Sequence, residues 1–262
     1  MRIAEVVNLT YFAFFTILGV MWALPSHSRI KAILIGLAGF GINLTASAAP
    51  GVVRDWLPVP LMALAYWQSG CFFQRPNPRL QSLFESWERK ILEALHIHPD
   101  QLARSWLGGL FELAYMFCYP VVPLGLGVLY ISGISDAADE YWTIVLLSAY
   151  PCYILLPFIQ LLPPRLVERT DVTANRTAHL RGLNLWLVRR ITHQANTFPS
   201  GHVAASTAIA LVLLRLTPVV GIVFAFIAAG IAAGCTVGRY HYIVDVVAAL
   251  GLAATIFAIV AL

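Results

Sequence analysis

The sequence predicts an all-α, polytopic membrane helix bundle, on three observations. Of its 262 residues, 59% are hydrophobic and only 11% are charged, where a soluble domain carries about 25% charged residues. Mean hydropathy is +0.76. Apolar runs recur along the whole chain that are long enough for a ~30 Å hydrocarbon core, which takes about 20 residues of helix. No repeat, low-complexity tract or soluble second domain interrupts them, so residues 1–262 read as a single membrane domain.

Eight candidate spans follow in order: residues 6–24, 32–50, 56–73, 106–131, 142–162, 203–214, 219–237 and 242–262. The first follows Met1-Arg2 and lacks a convincing small-residue cleavage site, so it is read as a retained helix rather than a signal peptide. The second contains Asn43, Thr45 and Ser47, which weaken it. The sixth is short unless it starts at Ser200. Glu112 falls inside the fourth span, where a carboxylate is expensive in lipid. It should face the bundle interior, either hydrogen-bonded to a neighbouring helix or holding an acceptor. Ten tyrosines and seven tryptophans suit interfacial belts.

Two hydrophilic stretches separate the spans. In residues 80–97, Leu80, Leu83, Phe84, Trp87, Ile91, Leu92 and Leu95 recur at helical spacing opposite Glu85, Glu88, Arg89 and Lys90. That pattern predicts a helix lying in the membrane interface, as a packing element or as a substrate gate. Residues 165–197 carry Arg165, Arg169, Arg176, Arg181, Arg189 and Arg190, expected for the most part in solvent or against lipid headgroups. Cys71, Cys118, Cys152 and Cys235 lie in or beside apolar runs without C-x-x-C spacing, which argues against a metal cluster or disulfide framework. His96 and His98, two apart, would diverge on a helix and read as interfacial histidines, not a metal pair.

Two segments carry chemistry. In Phe198-Pro199-Ser200-Gly201-His202, Ser200 can cap the helix that follows, and the N–H groups of that helix start make a ready anion site. His202 stands where it can give a proton to a leaving oxygen. In His241-Tyr242-Ile243-Val244-Asp245, the i, i+4 spacing puts His241 and Asp245 on one face. A carboxylate there can hold one imidazole nitrogen as N–H and leave the other nitrogen's lone pair free to attack phosphorus. Taken alone, H-x-x-x-D is as well explained by a structural pair. Arg239, two residues earlier at the membrane boundary, makes that explanation harder. Topology adds an independent constraint: one span returns between the two segments, so both face the same side, together with Pro163-Pro164-Arg165.

These residues resemble the type 2 phosphatidic acid phosphatase superfamily, which includes lipid phosphate phosphatases and vanadium haloperoxidases. The resemblance covers roughly the last 100 residues by motif and the six later spans by architecture. It implies a six-helix phosphatase core at residues 56–262 with about two extra N-terminal helices at 1–55. The chain departs from the family pattern in two places. The usual Lys, six residues, Arg-Pro motif is absent, and the only lysines are Lys31 and Lys90. Pro163-Pro164-Arg165 instead resembles the branch related to inositol phosphorylceramide synthase, which implies a phosphate-binding role for Arg165. The Arg that usually precedes the nucleophilic His by six residues is Cys235 here, and Arg239 stands in for it.

The resemblance implies a two-step reaction without metal or cofactor. His241 attacks phosphorus, Asp245 steadies the imidazolium, and His202 protonates the departing oxygen. Arg165, Arg239 and the Ser200 and Gly201 N–H groups hold the phosphoryl oxygens. Water on the phosphohistidine gives a phosphatase, and an alcohol acceptor gives a transferase, for instance one moving an inositol phosphate. A membrane setting points to a lipid phosphate at headgroup level: phosphatidic acid, a polyprenyl phosphate or diphosphate, or phosphatidylinositol as donor. The partners implied are lipid substrate, membrane lipids and an alcohol acceptor, not nucleic acid. Other classes stay open. A transporter would place charge pairs at mid-bilayer rather than histidines at span ends, and a silent lipid-binding relative would not need His202, His241 and Asp245 together. Haloperoxidase chemistry is disfavoured by the membrane character. Arginines and lysines concentrate on the catalytic side, which the positive-inside rule assigns to the cytoplasm, whereas the resemblance implies an extracytoplasmic or lumenal face.

Overall fold

The computed structural model describes residues 1–168 and 178–261. Arg169 and Arg176 of the basic stretch lie outside the described residues. The fold is all-helical: α1 (Ile3–Met21), α2 (Ser26–Ala46), α3 (Gly51–Trp56), α4 (Pro58–Gly70), α5 (Pro78–Ala94), α6 (Pro99–Arg104), α7 (Leu107–Met116) and α8 (Val121–Ile131). After a short 3-10 turn come α9 (Ala138–Ile154), α10 (Pro164–Val167), α11 (Ala178–Ile191), α12 (Gly201–Leu216), α13 (Pro218–Val237) and α14 (Ile243–Ala261). Proline opens α4, α5, α6 and α13, where its missing N–H costs nothing. Asn77 caps α5 by accepting from the N–H groups of Arg79 (3.0 Å) and Leu80 (3.3 Å).

Helices occur at all eight positions the hydropathy marks, but they are not eight equal spans. α1, α2, α13 and α14 are long and apolar enough to cross a membrane, so the chain is a multi-pass membrane protein. The run 106–131 is split into α7 and α8, bent by 69°. Pro120, the N-cap of α8, cannot continue the ladder of α7. The run 142–162 starts earlier, at Ala138, and ends at Ile154, three residues past Pro151, leaving residues 155–162 as turns that lead to the site. α12 begins beside Ser200 and has 16 residues.

α9 is the axis of the bundle. It is buried on nearly every side and packs against α1, α4, α12 and α14. At one end of the bundle, the Asp139 carboxylate accepts from the Ile3 and Ala4 N–H groups at 3.2 and 3.0 Å, capping α1. Arg54 pairs with Glu5 there at 2.6 Å, and Arg215 pairs with Glu140. The other end gathers the C-terminus of α9 and the starts of α10, α12 and α14, and it carries the residues of interest.

The interfacial helix forms as α5, but one residue departs from its pattern. Glu88, which the periodicity sets on the outer polar face, is buried, whereas Leu83 and Trp87 are exposed. Its salt bridge with Arg239 supplies the physical reason.

Candidate active site

Ser200 is fully buried, and its Oγ accepts from the Val203 N–H at 3.5 Å to cap α12. The cap has little room beside it: a Cβ on Gly201 would come within 2.8 Å of Tyr153 Cε1, so glycine lets the helix start lie against α9. The Ser200 N–H donates to the Asp245 carbonyl at 3.1 Å, which fastens this loop to α14. The Gly201 N–H reaches Thr197 Oγ1 only at 3.4 Å, the outer limit of a hydrogen bond, and an anion would compete for it easily.

The second segment arrives through a tight turn after α13. Arg239 takes a left-handed conformation, φ +58°, unusual for a side-chain-bearing residue. The Tyr240 and His241 N–H groups then both donate to the Cys235 carbonyl, at 2.8 and 3.1 Å. His241 Nδ1 faces Asp245 Oδ2 at 3.3 Å. The same oxygen accepts from the Tyr242 N–H at 2.9 Å and from Asn196 Nδ2 at 2.8 Å. The carboxylate is therefore fixed from three directions, and it sets the imidazole with Nε2 away from it. Burial first, then the Arg165 charge, hold His241 well below the usual imidazole range, at about 3, so it is neutral at pH 7.

His202 stands across from it. The two ring centroids are 6.0 Å apart with planes at 77°, a span that two hydrogen-bond reaches of about 3 Å cover. Tyr115 and Tyr119 hold His202 edge-to-face at 5.8 and 5.7 Å. Tyr115 in turn stacks flat on Tyr240, centroids 3.7 Å apart. His202, His241, Asp245, Ser200 and Gly201 thus meet at one end of the bundle.

The two arginines expected on phosphate are placed differently. The Arg165 N–H donates to the Arg239 carbonyl at 3.0 Å, and its guanidinium lies 5.2 Å from the Tyr240 ring centroid, with one long contact of 3.4 Å to the Tyr240 carbonyl. Among the described residues it has no ion-pair partner. Arg239 has two: its Nη1 pairs with buried Glu88, and its Nε and Nη2 pair with Glu168, the former at 3.0 Å. All three guanidinium nitrogens are committed to carboxylates, so Arg239 offers nothing to a phosphate in this arrangement. Glu88 also accepts from the Ile243 N–H at 2.8 Å, capping α14. This explains why a glutamate of α5 is buried.

Glu112 faces inward, as expected, and takes the structural role of the two readings. Its carboxylate accepts from Arg181 Nη1 at 2.7 Å, Asn184 Nδ2 at 2.5 Å and the Tyr240 hydroxyl at 2.7 Å. Arg181 is therefore buried, contrary to the expectation for the basic stretch. The buried roles of Asn196, Glu88 and Arg181 are not legible in the sequence, because no motif marks them and their partners lie far away in the chain.

Among the described residues, three cavities lie near the site. An apolar one of 380 Å³ runs from Trp67 and Tyr66 past Tyr119 and Tyr153 to His202. One of 160 Å³ lies between α10 and α11, lined by Arg165, Arg181, Arg189 and Gln194. The largest of the three, 640 Å³, is lined by Glu85, Glu88, Glu93, Asp100 and Glu168 against Arg89 and Arg239, an excess of negative charge that disfavours a phosphate. Among the described residues no cluster of His, Cys, Asp and Glu has metal-binding geometry.

The family model described as the PAP2 superfamily matches residues 86–259. No curated protein and no solved structure matches the chain.

Proposed function

The chain belongs to the PAP2 superfamily, and from that premise we propose that it is a lipid phosphate phosphatase or phosphotransferase working through a phosphohistidine at His241. The superfamily itself supports phosphatase-type chemistry on lipid phosphates in general. The observation that carries the finer reading is the opposition of two imidazoles at 6.0 Å, one of them aligned by a carboxylate that Asn196 and the Tyr242 N–H hold in turn.

His241 Nε2 attacks phosphorus and the bond to the lipid oxygen breaks. His202, once it has taken up a proton with the bound phosphate, gives that proton to the leaving oxygen, and Asp245 stabilises the imidazolium through Nδ1. In the second step water or an alcohol attacks phosphorus, His202 takes the proton, and His241 leaves. Arg165, with the Gly201 N–H, is assigned to the phosphoryl oxygens, where charge is largest. The Ser200 N–H and Arg239 are assigned instead to holding the two loops. The apolar cavity ending at His202 suits a lipid chain on the leaving side, and α4 contributes Tyr66 and Trp67 to it, which supports a core that starts near residue 56 with 1–55 as an addition.

The test is phosphate release and lipid mass spectrometry on purified protein, with a panel of lipid phosphates, with and without alcohol acceptors. His241→Ala should lose several powers of ten in turnover while staying folded in detergent. Near-normal release by that variant would rule out the nucleophile. The Pro163-Pro164-Arg165 element favours transfer over hydrolysis, and a product carrying the added alcohol would decide for it. We place the catalytic face on the extracytoplasmic or lumenal side. Labelling of cysteines introduced at Arg79 and Ser132, exposed near opposite ends, from each side of sealed vesicles checks this.

A further inference from the structure

Tyr119 sits at the 69° bend between α7 and α8. The turn before Pro120 sets Cys118 and Tyr119 in the wall of the 380 Å³ apolar cavity, which ends at Gly201 and His202. A break in a membrane helix is tolerated where it lines a cavity, and here it brings a phenol to the acid of the mechanism. The Tyr119 ring stands edge-to-face to the His202 imidazole, centroids 5.7 Å apart with planes at 74°. Its hydroxyl is closed off from water and has no hydrogen-bond partner among the described residues. The Tyr115 hydroxyl acts on it from nearby, but the pair falls outside hydrogen-bond geometry.

Other tyrosines of the bundle show what such a group ordinarily finds. Tyr11 donates to the Ala65 carbonyl at 2.9 Å, Tyr141 to the Val122 carbonyl at 2.7 Å, Tyr240 to Glu112 at 2.7 Å, and Tyr150 to Asn8. Tyr119 has the one buried tyrosine hydroxyl left unpaired among the described residues. A buried hydroxyl without an acceptor is costly to keep. The side chains of Val122, Pro123 and Ala205 in the same wall offer none.

We propose that Tyr119 is a further catalytic residue, whose hydroxyl donates a hydrogen bond to the oxygen that leaves phosphorus. The inference rests on the assignment of His241 as nucleophile and His202 as acid. As the bond between phosphorus and the lipid oxygen breaks, its electron pair moves onto that oxygen. The proton comes from His202, and Tyr119 keeps its own while its O–H steadies the growing charge. In the second step the oxygen of water or alcohol takes the same place against Tyr119. It gives its proton to His202 and bonds to phosphorus, and His241 leaves with the electron pair of the P–N bond. An unactivated alcohol is a poor leaving group, so a second donor beside the acid has its largest effect there.

The test is Tyr119→Phe, with dodecyl phosphate and its 2,2-difluoro analogue as probes. The two differ little in size, but the fluorinated alcohol is the more acidic and needs less help in leaving. Alcohol release is followed in a single turnover of the full-length protein in detergent, beside its thermal unfolding. Tyr119→Phe should slow dodecanol release about 10–100-fold, the loss of one hydrogen bond to a charged oxygen. On the difluoro substrate the loss should be at least about threefold smaller. Melting temperature should stay level or rise, because the deleted hydroxyl has no partner in the free protein. Equal losses on the two substrates, no loss, or a lower melting temperature would overturn the assignment. His241→Ala separates it from the reading beneath: if that variant abolishes turnover while Tyr119→Phe matches the wild type, only Tyr119 loses its role. Release from neither substrate by the wild-type protein would overturn both.

Discussion

Replacing Glu88 tests whether α5 holds the catalytic turn. Its carboxylate is buried, pairs with Arg239, and takes the Ile243 N–H that opens α14. Removing one partner of a buried ion pair costs about 3–5 kcal/mol. Glu168 still holds two nitrogens of Arg239, from a side chain that is 40% exposed, which puts Glu88→Ala at the low end of that range. The orphaned N–H adds about 1 kcal/mol, for a total near 4 kcal/mol. At about 2–4 °C per kcal/mol for a chain of this size, the melting temperature in detergent should fall by about 8–16 °C. Glu88→Gln keeps an acceptor for Ile243 and should lose about half as much. His241 is two residues beyond Arg239, and a displacement of about 1 Å can cost 10²-fold in rate. The assay is phosphate release beside thermal unfolding, with kcat expected to fall far more than KM changes. Unchanged kcat and unchanged melting in Glu88→Ala would refute the coupling of α5 to the turn.

Other outcomes follow from the same geometry. Asn196→Ala removes the 2.8 Å donor to Asp245 and leaves a buried acceptor unpaired, at a cost of about 1–3 kcal/mol. Turnover should drop about tenfold or more with little change in KM, measured by steady-state phosphate release. Gly201→Ala sets a methyl 2.8 Å from Tyr153 Cε1, and overpacking of that kind costs about 1–3 kcal/mol. Tyr153→Leu in the same chain should restore part of the lost melting temperature. Burial holds His241 and His193 at about 3, with the nearby Arg165 charge also acting on the former and His202 on the latter. Both folded values are depressed below the ordinary ~6.5, so above that pH neither state takes up protons. Below it the unfolded chain binds protons that the native chain refuses, and stability is lost as pH falls towards 3, by up to about 1.4 kcal/mol per unit for each histidine. Melting temperature should therefore decline from about pH 7 to about pH 5, and His241→Gln should flatten that decline.

What could be read from the chain alone was local. Apolar runs mark helices because a membrane helix must bury about 20 residues in lipid whatever its neighbours do. Ser200 before Gly201-His202 marks a helix start, and the four-residue step from His241 to Asp245 marks a pair, because each is set by the geometry of a single turn. The break at Pro120 was present as a proline and was missed only because hydropathy averages over it. Tertiary structure alone decided which charges are committed. Arg239 and Arg165 look equivalent as arginines beside motifs, yet Glu88 from α5 and Glu168 occupy the first and leave the second over the Tyr240 ring without an ion-pair partner among the described residues. Glu88 fits the outer polar face by period and is drawn inward by Arg239, 151 positions away. Arg181 fits a solvated stretch and is drawn inward by Glu112. A buried charge takes its partner wherever packing brings one, and pairings across such separations leave no period or spacing in the sequence.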